Sequence, residues 1–164
     1  MRRYRMRQKL FSLRDAFTIQ NADSQDVYVV KGRLISLRDL LSFQDMDGNE
    51  LLHIKQKLVS LRPRYEIHRG DRHYATVTKR LLSLIGARFE ISVDGEDDLT
   101  AKGNFLDYEY RFLREDEEVA EVSKRWFALT DIYGVEVAED VDDLLILASA
   151  VVIDMVNHNS DREG

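Results

Sequence analysis

Apolar and polar residues alternate in short runs along most of the chain, and the runs recur. Met6 to Ile19 reads MRQKLFSLRDAFTI, Val30 to Phe43 reads VKGRLISLRDLLSF, and Ile54 to Ile67 reads IKQKLVSLRPRYEI. Looser copies start at Val77 (VTKRLLSLIGARFEI), Ala101 (AKGNFLDYEYRF) and Val122 (VSKRWFALTDIYGV), so successive starts are separated by 24, 24, 23, 24 and 21 residues. Repetition on this scale means one supersecondary unit used many times. Each unit alternates with period two, meets a short turn and alternates again, which is the pattern of a β-hairpin. The segments between units, DSQD, DMDGN, RGDR, DGEDD and REDEE, carry the Asp and Gly residues that tight reversals need. The repeat therefore predicts six hairpins, about twelve antiparallel strands connected up and down.

An open sheet of that size exposes two edges, and closure into a barrel removes them. Twelve strands about 4.8 Å apart and tilted about 40° give a backbone diameter near 24 Å, and inward side chains narrow the bore to roughly 12 Å. A helix with its side chains is about 10 to 12 Å across. The last periodic segment, DDLLILASAVVIDMVNH, is apolar on nearly every face, as a helix surrounded by protein must be. It is too short for a membrane span: its apolar stretch, Leu144 to Val156, contains Asp154, and a span needs about 20 apolar residues. The expected architecture is mainly β, a closed antiparallel barrel around a buried hydrophobic C-terminal helix. It forms one domain over residues 1–164, with the barrel at 1–138, the helix at about 142–158 and a tail at 159–164.

The residues SLRPRYEI, TVTKR, AEVSKRWF, DIYGVEV and DDLLILASAVVIDMV resemble the LURP-one-related family within the tubby C-terminal-like superfamily, over nearly the whole chain. The resemblance implies a twelve-stranded barrel around a hydrophobic helix. It also implies kinship with tubby C-terminal domains, which bind membrane phosphoinositides, and with phospholipid scramblases. It brings no catalytic motif.

Composition narrows the chemistry. The absence of cysteine excludes disulfides, thiolate metal cages and cysteine nucleophiles, and points to an intracellular, cytoplasmic protein, peripheral at the membrane if it docks there. A net charge of −6 argues against wholesale nucleic-acid binding but leaves room for a local basic patch. Such a patch follows from the repeat, because alternate reversals fall on opposite rims. One rim collects Asp23, Asp26, Asp45, Asp47, Asp71, the DGEDD and REDEE turns and the acids from Glu139 to Asp143. The other receives Arg14, Arg38, Arg62, Arg64 and Arg88. Just before that second rim stand Arg7 and the fourth repeat positions Lys9, Arg33, Lys57, Arg80 and Arg125, on the outer face if the first position points inward.

Three functional readings follow. The first is a monomeric, non-enzymatic module whose basic rim docks on anionic phospholipid headgroups, each cation contributing about 1 kcal/mol near a charged surface. The second is a nucleic-acid or phosphoester-binding protein, extending to a metal-dependent hydrolase. In that case Glu96, Asp97, Asp98, Glu115, Asp116 and Glu117 would hold a divalent cation such as calcium; otherwise no cofactor is expected. The third is a protein-interaction scaffold. Asp154 inside the plug should pair with Lys79, Lys124 or a glutamine from the inward third repeat positions. The loop starting at Asp45 departs from an EF-hand in its glycine and final-ligand positions and reads as a turn. Four serines, Ser12, Ser36, Ser60 and Ser83, share one repeat position, which suits turns better than a nucleophile. His53, His68, His73 and His158 have no zinc-ligand spacing; His68 and His73 could meet across the RGDR reversal, but read as exposed turn residues.

Overall fold

A computed structural model describes residues 1–7, 16–32, 39–57, 64–82, 86–127 and 132–160. Each repeat becomes two strands: β1 (Arg2–Arg7) with β2 (Phe17–Asn21), β3 (Asp26–Gly32) with β4 (Asp39–Gln44), and β5 (Glu50–Lys57) with β6 (Arg64–Arg69). β7 (Arg72–Leu82) then pairs with β8 (Gly86–Val93), β9 (Leu99–Asn104) with β10 (Glu109–Arg114), and β11 (Glu117–Ser123) with β12 (Ile132–Val137). Every strand is hydrogen-bonded to its neighbours in sequence, and β1 closes on β12 from Arg2 opposite Val137 to Arg7 opposite Ile132. The result is a closed twelve-stranded antiparallel barrel.

The pleat places the repeat as expected. Its first residues, Met6, Val30, Ile54, Val77, Ala101 and Val122, are all at most 1% exposed and form the inner wall. They meet helix α1 (Asp143–Ser160), in which every residue from Leu145 to Val156 is buried. A helix covered on all sides needs an apolar residue at almost every position, which is why this segment has no polar face.

The mouth where the helix begins is closed by polar contacts. Asp142 caps α1, its Oδ1 accepting from the Leu144 amide at 3.0 Å, which satisfies one of the free amides of the first turn. Its Oδ2 accepts from the Tyr74 hydroxyl at 2.7 Å and from Arg69 Nη2 at 2.5 Å. Asp143 accepts a hydrogen bond from Tyr4 and pairs with Arg2 Nη1 at 2.7 Å. Arg114 pairs with Asp140 at 3.0 Å. This rim is therefore less anionic than its acid-rich sequence suggests, because Arg2, Arg69 and Arg114 answer the acids around the helix start.

After β11 the chain folds back on the outside. Trp126 and Phe127 lie beneath the guanidinium groups of Arg3 and Arg5, 4.9 and 5.0 Å from the ring centroids. Gly134 of β12 makes room for this seat, since a Cβ there would stand 2.4 Å from Trp126 Cε3.

Candidate anion-binding groove

β7 is eleven residues long and alternates across the barrel wall, so that Ala75 and Val77 face the core while Thr76, Thr78 and Arg80 face outward, Thr78 itself being buried among its neighbours. Strand register brings matching residues alongside. Arg64 of β6 stands opposite Thr78, Thr78 opposite Glu90 of β8, and Glu90 opposite Thr100 of β9. Arg80 pairs in register with Arg88, and Thr76 with Ser92.

These side chains line a groove of about 650 Å³. Arg64, Arg80 and Arg88 supply its cations, with the hydroxyls of Thr76, Thr78, Ser92 and Thr100 between and beside them. Two lining carboxylates oppose the three guanidiniums, and both are engaged. Glu90 accepts from Arg80 Nε at 2.5 Å and from Arg88 Nη2 at 3.0 Å. Asp98 Oδ1 accepts from the Val93 amide at 3.0 Å. Arg64 has no carboxylate partner among the described residues. The Nε atoms of Arg64 and Arg88 are buried without a hydrogen-bond partner. A buried, unbonded donor costs about 1 to 3 kcal/mol, more when charged, so both await an acceptor. Convergent guanidiniums with hydroxyl donors are the chemistry that receives a phosphate or sulfate oxyanion.

The other expected cations are dispersed. Arg7 and Lys57 are exposed, and Arg125 pairs with Glu109 at 3.0 Å. That carboxyl would be raised by burial, but hydrogen bonds from Ser123 and Arg125 outweigh this and hold it below its ordinary value. Lys9, Arg14, Arg33, Arg38 and Arg62 lie outside the described residues, as do the four repeated serines. Arg64 and Arg88 belong to strands rather than to the rim turns.

Asp154 is 5% exposed and accepts a 2.5 Å hydrogen bond from the Tyr108 hydroxyl. Among the described residues the ion pairs the structure records do not join it to Lys79 or Lys124. Those ammonium groups lie instead over the rings of Phe89 and Tyr108, at 6.0 and 5.2 Å. Tyr108 reaches the helix from the turn between β9 and β10, and the degenerate repeat there gave no sign of it. Its phenol is pushed well up by burial and then by the Asp154 charge.

Among the described residues no three acidic or histidine side chains form a group that could hold a metal ion, and Glu96, Asp97, Asp98, Glu115, Asp116 and Glu117 are not so assembled. Asp45 caps its own turn, accepting from the Asp47 and Asn49 amides at 3.0 and 2.9 Å, with Asn49 holding its carboxyl below the usual range. The histidines differ from the expectation. His53, His68 and His73 occupy adjoining strands: the first two rings stack at 5.2 Å, and the third meets His68 edge-on at 5.5 Å. His68 and His73 do meet across the RGDR reversal, as the sequence allowed, with Arg69 opposite Arg72 and His68 opposite His73, but His53 is buried and the other two are half-buried rather than exposed turn residues. The side chain of His158 lies outside the described residues.

Among the described residues no helix is long and apolar enough to cross a membrane. The LURP-one-related family model matches residues 2–154. YxjI, an uncharacterized protein of Bacillus subtilis (strain 168), is 38% identical over 159 residues, which span 96% of this chain and 95% of that protein. A crystal structure of an Arabidopsis thaliana protein superposes with a TM-score of 0.70 at 18% identity, over 95% of this chain and 91% of that one, and so shares the fold. A match from the second residue to Asp154, inside the plug, takes in the whole barrel, and on it the chain belongs to the LURP-one-related family.

Proposed function

We propose that this protein is a non-enzymatic binding module for the phosphate groups of acidic membrane lipids, received in the groove of Arg64, Arg80 and Arg88. The observation that carries the reading is Arg64, a partly buried guanidinium whose inner N–H is unbonded and which no carboxylate of the described residues neutralises. Leu81, which follows Arg80 at the end of β7 on the other side of the pleat, is 81% exposed, and Leu106 in the turn after β9 is 68% exposed. Apolar side chains next to cations suit a bilayer surface, where the cation meets the headgroup and the leucine meets the acyl boundary. The resemblance to tubby C-terminal barrels supports the same ligand class.

The test is cosedimentation with phosphatidylcholine vesicles, plain or containing a phosphatidylinositol phosphate, beside calorimetric titration with inorganic phosphate. Binding should require the acidic lipid, weaken as salt rises, and fall about tenfold or more in Arg64→Glu. Leu81→Asp should lose the vesicles and keep inorganic phosphate. Indifference to lipid charge and salt would remove the proposal, and stronger binding to single-stranded DNA than to vesicles would favour a nucleic-acid phosphate as the ligand.

A further inference from the structure

One hydroxyl of the groove is tied to the histidine row. His73 Nδ1 lies 2.7 Å from Asp94 Oδ2, and its Nε2 lies 2.7 Å from Thr76 Oγ1, which lines the groove. The carboxylate of Asp94 can only accept, so Nδ1 carries the hydrogen, and in the neutral ring Nε2 must be the acceptor. The hydrogen of Thr76 is then committed to His73, and the hydroxyl offers the groove only lone pairs, the wrong polarity for an anion. A second proton on the imidazole reverses this bond. Nε2 now donates, Thr76 accepts, and its own hydrogen is released toward the groove. The same proton brings a positive charge to within one hydrogen bond of the groove wall.

We infer that this groove is a proton-coupled anion site, in which His73 takes up a proton as the anion binds and Thr76 turns from acceptor to donor. The inference rests on the anion-binding reading above and adds its regulation. The groups facing His73 come from three elements. His68 meets its ring from β6 and is bonded to Glu66 at 3.0 Å. Asp94 and Thr76 hold its two nitrogens, and Asp71 and Arg72 precede it in the chain. Beyond His68 stands His53, 3.1 Å from Glu50. His73 hydrogen-bonds Thr76, a lining residue of the groove.

Sulfate separates the protein's titration from the ligand's, because its charge stays constant across the interval from about pH 8 to about pH 5 in which imidazoles become charged. Calorimetric titration of the full chain with sulfate should show affinity about tenfold higher near the acid end, with a heat that varies with the buffer because a proton is taken up. His73→Asn should bind with little pH dependence. Thr76→Val, which keeps the charge but lacks the hydroxyl, should retain part of the slope, while His53→Asn and His68→Asn should retain it all. Full pH dependence in His73→Asn, or a flat profile in the wild type, overturns the coupling and leaves the groove standing. Sulfate binding that is unchanged in Arg64→Glu, or absent at both ends of the range, overturns the groove and the coupling together.

Discussion

Asp154, buried in the plug, accepts a hydrogen bond from Tyr108. That tyrosine holds a φ of 53°, a left-handed conformation that costs an aromatic residue about 1 to 2 kcal/mol, and its hydroxyl donates to the carboxylate. Replacing Tyr108 by Phe keeps the ring and the strained backbone but removes a donor from a buried carboxylate. The expected loss is roughly 1 to 3 kcal/mol, read as a lower urea midpoint with an unchanged slope. An unaltered midpoint would mean that the other contacts of Asp154 suffice. The need for a partner was legible in the sequence, since a carboxylate on an apolar helix demands one. The identity of the partner was not. A lysine or a glutamine was expected because the third repeat position points inward, yet Lys124 settles over the Tyr108 ring while the phenol makes the hydrogen bond.

Among the elements, β12 shows how a strand is shaped by what folds over it. Trp126 is the only tryptophan of the chain, and its ring occupies the space that a side chain at position 134 would take. Gly134→Ala should displace that ring and destabilise the barrel by about 1 to 3 kcal/mol, the usual range for overpacking, with a shift in tryptophan emission in the native state. Unchanged emission and stability would show that the ring has another place to lie. Strand order was legible because the repeat fixes both the hairpins and the inward face. The groove was only half legible: Arg80 stood out at the recurring fourth repeat position, and Arg64 and Arg88 as cations of the basic rim. Their convergence depends on cross-strand register, which composition does not encode, and the same holds for the histidine row across β5, β6 and β7.

At the scale of the whole molecule, the plug is pinned to the wall by tyrosines, with Tyr4 and Tyr74 bonded to the acids at its start and Tyr108 to Asp154 near its far end. Burial is the largest cause raising the pKa of each phenol, and the neighbouring carboxylate adds to it. The folded protein therefore holds these protons more tightly than the unfolded chain. The stability they confer is whole below the ordinary phenol value of about 10 and is lost progressively as pH rises beyond it. Urea midpoints measured at about pH 8 and about pH 11 should fall steeply between the two, and less steeply in Tyr74→Phe. A midpoint independent of pH over that range would refute the pinning.

The position of α1 after all twelve strands bears on how the protein is made. Synthesis delivers all twelve strands before the segment they enclose, so until α1 emerges their inward apolar faces have no helix to cover them. A nascent barrel of this order is exposed to aggregation until α1 has been made. Stalling or truncation before α1 should leave the barrel without the helix that fills its core.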